Sequence, residues 1–462
     1  MIRKRILVFV ATWVALFTVV ILLRRDEAPL AVPSGAPADE TASSAPGSIT
    51  KQATSPAPAK PSVATLPATR GETPVGAMGG GFHAGELREL NEFLALVDLD
   101  RVTHRASKSG SWSDPAVWGG EVPDEGARVH IPEGIDVTLS DADTDHLKSL
   151  RVDGALQLAP EENVKLQVDT LVVNEKGSLT AGSETAPISG DKEALISIEA
   201  LDDPNDDEAA RRNSARLIAL GEVSMHGEPK TSMAMLSQAP QIGDRELVLD
   251  AAPSNWKPGD VVVLGGARQS REELESLQIE YVRGKRVGLT PISGDDQAPK
   301  WPGLAEDYSP NRDNLAFAVN ITRNVGISSP PLNDEMAGEY PRGSVTFAGS
   351  ASTSSSLNNV GAYGLGVNDA TLEGQDQAVD RPAIEFQNSS KESVAQVNGL
   401  ALVDAPESGV KFSGNSVNLT DSVAYDENGG GWLTSSGSAS RLVWARERKT
   451  PGALSGAIRT AP

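Results

Sequence analysis

Short runs in which apolar and polar residues alternate, separated by turns rich in Gly and Pro, recur along most of this chain. The stretch 109–139 shows the pattern first: Trp112 and Trp118 precede a Gly-Gly pair and two short alternating runs. A period of two between such turns is typical of half-buried β-strands. Equivalent turns, marked by Gly154 and Gly177, recur about every 20–25 residues, as in proteins built from stacked repeats. The pattern therefore predicts the rungs of a parallel β-helix rather than a β-sandwich.

The composition favours an all-β fold. The 462 residues include 44 Gly and 30 Pro, whereas aromatic residues make up 4% of the chain. The core must therefore be mainly aliphatic, and a helical pattern is confined to the N-terminal region, which favours all-β over α/β. A formal net charge of −22 argues against nucleic acid as a partner, because an acidic surface repels polyanions. The absence of Cys excludes disulfides, thiolate metal sites and cysteine nucleophiles.

The N-terminus carries a membrane-targeting pattern. Residues 6–23 form an uncharged apolar run of about 18 residues, which is long enough to span a bilayer. We interpret 1–26 as a transmembrane signal anchor with a cytoplasmic N-terminus, so that the bulk of the chain is exported to the periplasm or outside the cell. A cleaved signal peptide is the alternative. Residues 27–82, rich in Ala, Pro and Ser, are predicted to form a disordered linker, and their composition resembles spacers behind Gram-negative inner-membrane anchors.

An amphipathic helix is predicted over residues 83–103. Its apolar side chains share one stripe: Leu87, Leu90, Phe93, Leu94 and Val97. We expect this helix to cap an open end of the β stack and to cover the edge strands there, and a docking helix for a partner is the alternative. Residues 202–216 are strongly charged and have no apolar period, which predicts an exposed insertion loop with solvated charges.

Five motifs in the first half share their order and spacing with a known family. They are the Trp-containing stretch 112–120, the turns of 123–134, the paired runs of 150–158, the strand and turn of 173–180, and Ser224 to Gly227. Together they resemble the G8 domain, a Gly-rich β module of cell-surface hyaluronidases, hyaluronan-binding proteins and fibrocystin-like receptors. The resemblance implies a G8-like module over 104–237, followed by a right-handed parallel β-helix over 238–449. Residues 450–462 are predicted to be a disordered tail.

A short internal repeat supports the β-helix in the second half. Asn398 and its flanking valines are echoed by Asn418 and its valines, at an offset of about 20–22 residues that suits one rung. If the two asparagines are in register, they form an Asn ladder along the stack. Chance recurrence of a common residue is the alternative.

The histidines give no sign of a metal site. No two of the five stand at ligand spacing on one element, so we predict neither a metal nor a cofactor. His130 is expected to face away from the core, and His226 to be a turn residue. The resemblance implies a His-x-His element on a strand of the enzymatic relatives, but this chain has Glu385 and Gln387 at the matching positions. It therefore implies fold and ligand class more strongly than activity.

Carboxylates are the remaining candidates for catalysis. Glu385 is predicted to point outward, and Asp404 and Asp426 to stack about 5 Å apart on adjacent rungs. Two carboxylates that close would raise the pKa of one of them, as the acid of a glycoside hydrolase requires. Ordinary solvated turn acids are the competing interpretation. The candidate ligand-binding residues are Arg381, Gln387, Trp432 and Arg441.

These features favour a membrane-anchored cell-envelope protein that binds or organises polysaccharide without robust catalysis. The first alternative is a hyaluronidase-like glycosidase or lyase that cleaves or modifies a glycosaminoglycan-like polymer. The second is a structural or adhesive surface protein with protein partners. The expected partners are a polysaccharide and, through the N-terminal helix, the membrane, but not nucleic acid.

Overall fold

The computed structural model describes residues 92–140, 143–206, 208–265, 267–268, 277–291, 303, 309–310, 316–330, 341–349, 355–368, 380–388, 395–405, 409–413, 417–425 and 433–435. β-Strands dominate these residues and most of them pair in parallel, which confirms the predicted all-β stack. The predicted anchor, linker and tail lie outside these residues. Within the described ranges, no helix has the length and hydropathy needed to cross a membrane.

The strands follow one another as a stack, an insertion and a continuation of the stack. The first part contains β1 (His104–Arg105), β2 (Gly110–Ser111), β3 (Arg128–Ile131), β4 (Asp136–Leu139), β5 (Leu147–Val152), β6 (Ala155–Leu158), β7 (Val164–Val173), β8 (Ser178–Ala181), β9 (Ala194–Ile198), β10 (Arg216–Ala219) and β11 (Glu222–His226). The insertion contains β12 (Met233–Met235), β13 (Glu246–Val248), β14 (Val261–Gly265), β15 (Ala267–Arg268), β16 (Leu277–Arg283), β17 (Arg286–Pro291), β18 (Ser309–Pro310) and β19 (Phe317–Asn320).

The stack then resumes after the insertion. Its strands are β20 (Val325–Ser328), β21 (Ser344–Gly349), β22 (Ser355–Asn358), β23 (Val360–Tyr363), β24 (Val367–Asn368), β25 (Asp380–Arg381), β26 (Ile384–Asn388), β27 (Ala395–Asn398), β28 (Ala401–Val403), β29 (Val410–Ser413), β30 (Val417–Thr420), β31 (Val423–Tyr425) and β32 (Leu433–Ser435). Of these, β24 and β25 form a separate antiparallel pair. The structure also contains a 3-10 helix at Leu99–Arg101 and an α-helix at Glu208–Asn213.

The stack has three faces, which we name for segments described below. The strap face contains β1, β3, β5, the second half of β7, β10, β21, β26, β29 and β32. The barrel face contains the first half of β7, β9, β20, β23, β28 and β31. The open face contains β2, β4, β6, β8, β11, β22, β27 and β30. The long strand β7 belongs to two faces because its two halves pair with different neighbours.

The core consists of columns of side chains that repeat from rung to rung. One column on the strap face follows the backbone register through Val129, Leu150, Leu171, Leu217, Val345, Ile384 and Val410, all buried. A second column includes Phe347 and Phe386, whose rings stack with 4.7 Å between centroids. Each fully buried aliphatic side chain contributes about 1.5–3 kcal/mol. Continuous burial along the stack therefore holds the rungs together in a chain that has no Cys.

The tryptophan stretch closes the first rung. Trp112 and Trp118 are 3% and 6% exposed, and their rings meet edge to face with 4.8 Å between centroids. The Trp118 Nε1–H donates to the Trp112 carbonyl at 2.6 Å, so the polar atom of this buried ring is satisfied. Val117 packs closely over Gly110 on the same rung. The stretch therefore forms the first layer of the stacked domain.

The turns between the strap face and the open face need glycine. Gly154, Gly177 and Gly221 occupy such turns in successive rungs, and a Cβ added at any of them would lie within 2.3 Å of a backbone carbonyl oxygen of the preceding rung. No side chain fits at that distance, so the backbone of each turn rests directly on the one before it. The recurrence of glycine at these turns reflects this contact.

The insertion is a small closed barrel, not the β-helix predicted for residues 238–449. Its strands are antiparallel in the order β12, β19, β14, β16, β17, β13, and an antiparallel bridge between Leu236 and Leu249 joins β13 back to β12. The interior is a separate core that includes Leu247, Trp256 and Ile279. The difference has a simple reason, because antiparallel and parallel strands share the same period of two.

The barrel packs on one side of the stack, the barrel face. Val263 and Val319 on its outer surface contact Tyr425 and neighbouring apolar residues of β28 and β31. Arg323, which is 3% exposed, ties the two parts together, since its guanidinium donates to the Gly399 carbonyl at 2.8 Å and to the Ser232 hydroxyl at 2.9 Å. Burial lowers the pKa of Arg323 to about 10, so the side chain stays charged at neutral pH.

The described part of the predicted N-terminal helix lies on the side of the stack. Residues 92–95 are helical. Phe93 and Val97 pack on Ile218 and other apolar side chains that point outward from the strap face. The predicted role as an end cap is therefore wrong for these residues. These residues pack there because the outward side of the strap face carries an apolar patch that includes Val172 and Ile218.

The charged insertion, predicted to be solvated, is instead fastened to the strap face. We call residues 199–215 the strap. Asp206, 7% exposed, and Asp169 both accept hydrogen bonds from Lys148, at 2.7 and 2.8 Å. Asp203 accepts from Arg128 at 2.6 Å. Burial would raise the pKa of Asp203, but hydrogen bonds from the Asn205 amide and Arg128 outweigh it and hold the value at about 2.

Candidate functional site

The predicted acidic residue Glu385 lies on the outward side of β26. Its carboxylate is 2.8 Å from the Lys411 Nζ, and its side chain is 12% exposed. Glu385 is thus directed away from the core, as predicted, but it is mostly covered and neutralised by a cation. Gln387 follows two residues later on the same side of the strand.

Arg381 does not line a ligand surface. It is 6% exposed, and its Nη1 donates to the Ser214 carbonyl of the strap at 3.0 Å. Its predicted role in ligand binding is therefore replaced by a structural contact that fastens the strap.

Asp404 lies at the end of β28 on a different face from Glu385. Its φ of 55° is in the left-handed region, and its carboxylate accepts a hydrogen bond from Arg342 at 2.9 Å. Its backbone N–H donates to the Tyr425 carbonyl of the next rung. The other predicted residues, Asp426, Trp432 and Arg441, lie outside the described residues. In the part of the chain that is described, no group of three or more His, Asp or Glu side chains is placed to hold a metal ion.

The open face carries a row of uncharged polar side chains that runs through successive rungs. Backbone register aligns Ser111, Thr138, Gln157, Thr180, Ser224, Ser356 and Gln396, which we call the polar row. Gln157 and Gln396 are exposed, and the others are half-buried. Adjacent members lie on strands about 4.8 Å apart. The row therefore presents hydroxyl and amide groups at a regular interval along the stack.

A hydrogen-bonded network supports the middle of the polar row. His226 is 5% exposed at the end of β11, and its Nε2 lies 2.9 Å from the Ser224 hydroxyl. The side-chain nitrogen of Asn358 lies 3.0 Å from the His226 Nδ1 and 3.0 Å from the Ser356 hydroxyl. Burial lowers the pKa of His226, and the nearby Glu184 opposes this shift only in part. His226 is thus a buried strand residue rather than the turn residue predicted.

A second network, on the strap face, was also missed from the sequence. His130 is 2% exposed rather than simply turned outward, and its Nε2 lies 2.8 Å from the Asp153 carboxylate. Burial would raise the pKa of Asp153, but hydrogen bonds from His130, Arg151 and Asn174 hold it at about 2. These contacts join three successive rungs. They stabilise a corner of the stack, and both oxygens of the Asp153 carboxylate accept hydrogen bonds within it.

The predicted Asn ladder has a different register from that expected. Asn398 pairs with Thr420 and with Asn358, whereas Asn418 pairs with Gln396. The Thr420 hydroxyl donates to the Asn398 side-chain oxygen at 2.9 Å. Offsets of 20 and 22 residues leave a residue on the same side of a strand, so alternation alone cannot distinguish them.

Comparison with known proteins identifies one module of this chain. Residues 117–237 match the model of the G8 domain family, so the chain contains a G8 domain, which runs from the loop before β3 through β12. Fibrocystin-L of Homo sapiens is 30% identical over 185 residues, which are 39% of this chain and 4% of that protein. Fibrocystin of Canis lupus familiaris is 28% identical over 190 residues, 38% of this chain and 5% of that protein. The chain thus spans a small part of the length of these curated relatives.

A solved structure with a detectable likeness is the Gp54 tailspike of Acinetobacter baumannii bacteriophage AP22, in complex with A. baumannii capsular saccharide. The sequence identity is 10% and the TM-score is 0.17, with 61% of this chain and 43% of that chain covered. These values are too low for the likeness to bear on function.

Proposed function

We propose that this protein binds polysaccharide along its open face. The observation that carries the proposal is the polar row, an uncharged line of hydroxyl and amide groups that remains accessible over successive rungs. The strap face, by contrast, carries the strap and residues 92–97, and the barrel face carries the barrel.

The chemistry of the row suits a carbohydrate polymer. Hydroxyl groups donate one hydrogen bond and accept two, and a Gln amide donates two and accepts through its oxygen. Sugar hydroxyls, ring oxygens and glycosidic oxygens complement this set. A polymer of sugar units repeats these groups along its length, as the row repeats its partners about every 4.8 Å.

The finer parts of the proposal concern location and family. We place the protein at a cell envelope, held in the membrane by residues 1–26 and exported with its N-terminus in the cytoplasm. The apolar run of residues 6–23 and the basic residues before it support this placement. The composition of the linker supports a bacterial source. A glycan-binding role agrees with the hyaluronan-binding members that the G8 resemblance implies.

The enzyme alternative has weaker support. Of the predicted acids, Glu385 is paired with Lys411 and Asp404 with Arg342, and the two pairs belong to different faces. No described residue therefore supports the close carboxylate pair that the hydrolase mechanism requires. A purely protein-binding role has no feature in its favour comparable with the polar row.

Binding of the purified full-length protein to a panel of neutral and acidic polysaccharides, by affinity electrophoresis, tests the proposal. The double variant Gln157→Ala/Gln396→Ala removes the exposed amides of the row. Each lost hydrogen bond is worth about 0.5–1.5 kcal/mol, so we expect affinity to fall by roughly 5- to 100-fold. The variant Gln238→Ala/Gln241→Ala, which removes exposed glutamines on the barrel, is the matched control and should bind normally. Failure to bind any member of the panel, or equal loss in both variants, would refute the proposal.

A further inference from the structure

We propose that Ser224 and Ser356 form a paired-hydroxyl subsite that donates hydrogen bonds to a neutral glycan chain lying along the stack. His226 and Asn358 are the positioning residues that set the direction of both donors. This inference rests on the proposed function and deepens it, because it names the subsite and the class of glycan.

The donor directions follow from the contacts of Asn358. Its side-chain nitrogen carries two hydrogens and has two neighbours at 3.0 Å, the His226 Nδ1 and the Ser356 Oγ. The His226 Nδ1 must then be an acceptor. In a neutral imidazole the other nitrogen carries the hydrogen, so the His226 Nε2–H donates to the Ser224 Oγ at 2.9 Å.

Burial keeps the network in this state. His226 is 5% exposed, and burial lowers the pKa of its side chain, so the imidazole is neutral at neutral pH. The groups around it are the Ser224 hydroxyl, the Asn358 amide and, at longer range, the Glu184 carboxylate. A neutral His226 has one donor and one acceptor, and both are used within the protein.

Both serine hydroxyls consequently act as donors from half-buried positions on the open face. Each accepts a hydrogen bond from the buried network, which leaves its own hydrogen available. Ser224 and Ser356 are register partners on β11 and β22, so the two donors are about 4.8 Å apart along the stack. Two acceptor oxygens on neighbouring positions of a polymer parallel to the stack can meet both donors at once.

The charges around the subsite favour a neutral polymer over an acidic one. Glu222 is exposed on the same strand as Ser224, Glu184 is exposed near His226, and the whole chain carries a net charge of −22. Neither serine brings a positive charge to the face. A uronate polymer such as hyaluronan would meet repulsion here, while hydroxyl and ether oxygens accept from the serines without a charge penalty.

Calorimetric titration of the full-length protein with each neutral polysaccharide bound in the panel, and with hyaluronan, tests the subsite. Loss of two donors in Ser224→Ala/Ser356→Ala should weaken neutral-glycan binding by about 10-fold or more. Ser328→Ala, on the barrel face, is the control and should bind as the unaltered protein does. Full affinity in the double variant would overturn the subsite while leaving glycan binding by the face intact. Preferential binding of hyaluronan would overturn the assigned ligand class.

The role of His226 has a separate readout in the pH profile. Protonation at Nδ1 sets two N–H groups of His226 and Asn358 against each other. Affinity should therefore fall in an acid step that lies below the ordinary histidine pKa, because burial lowers the pKa of His226. In His226→Gln this acid step should be absent. Nitrogen NMR of the histidine ring should show an unprotonated Nδ1 at pH 7.5. A protonated Nδ1 there, or an acid step retained in His226→Gln, would show that the network does not orient the serines.

Discussion

Replacing Lys148 by Met tests whether the strap is held by buried charge. The Lys148 Nζ lies 2.8 Å from the Asp169 carboxylate, 2.7 Å from that of Asp206 and 2.6 Å from the Leu201 carbonyl. The side chains of Lys148, Asp169 and Asp206 are 7%, 0% and 4% exposed, respectively. Methionine is unbranched and only one atom shorter than lysine, but it carries no charge. The variant therefore leaves two buried carboxylates without their main cation.

The structure sets the size of the effect. Removing one partner of a buried ion pair costs about 3–5 kcal/mol, because the remaining charge is buried without compensation. Asp169 keeps hydrogen bonds from the Leu201 and Ala215 amides and the Thr170 hydroxyl, so the lower end of this range is appropriate for it. Asp206 keeps Arg128 and Arg101 at 3.8 Å, which compensates less well. We expect a loss of about 3 kcal/mol in the free energy of unfolding.

Urea unfolding measures the loss in the free energy of unfolding, and limited trypsin digestion measures release of the strap. If the strap releases before the stack unfolds, trypsin should cleave at Arg211 or Arg212, which lie within it. Lys176→Met is the matched control, since Lys176 is paired with Glu133 at 3.0 Å but the two side chains are 72% and 67% exposed. An exposed pair is worth about 0–1 kcal/mol, and the control should stay in that range. Equal stability and equal digestion of both variants would refute the reasoning.

Three further predictions concern other contacts. Gly361→Ala should destabilise the protein by about 1–3 kcal/mol in urea unfolding, because its Cβ would lie 2.2 Å from the Tyr363 ring. Gly326→Ala should cost less, since its Cβ would lie 3.3 Å from the same ring. If Gly326→Ala were the more destabilising of the two, the packing would be contradicted. Asp153→Asn should cost about 2 kcal/mol or less at pH 7, because the pKa of Asp153 is lowered from 3.8 to about 2. This difference in unfolding free energy should disappear as the pH falls from 4 through 2. A difference that stays constant with pH would exclude the charge as its source. Arg323→Lys should lower the melting temperature and weaken the attachment of the barrel, because lysine cannot reproduce the two guanidinium donors to the Gly399 and Ser232 oxygens. Unchanged hydrogen exchange in β19 and β20 would contradict this.

Local patterns in the sequence were sufficient to predict the stack itself. The tryptophan stretch, the alternating runs and the glycines at 154, 177 and 221 each reflect a contact within a rung or between adjacent rungs. Features that depend on long-range pairing were not predictable in this way. The barrel has the same period as the stack, and the strap looks like a solvated loop because its partners, Arg128 and Lys148, are far away in sequence.

The site illustrates the same difficulty. The sequence directed attention to charged residues after position 380, and those that are described form ion pairs or structural contacts. The polar row consists of Ser, Thr and Gln, which are common at exposed strand positions and carry no signal individually. Their meaning depends on alignment across rungs, and this alignment requires the register that the structure supplies.

The turns at both ends of its strands explain why the open face can keep such a row. On one side, the first five turns from the strap face to the open face contain two to four residues, and glycine lets three of them rest on their neighbours. On the other side, Asn359, Gly399 and Asp421 lie where the chain turns from the open face to the barrel face, with φ values of 53°, 70° and 43°. Tight turns at these positions fix the register of the strands between them. The strap enters the rung between the barrel face and the strap face. The barrel enters between β11 of the open face and β20 of the barrel face and packs on the barrel face, so the covers described lie on the other two faces.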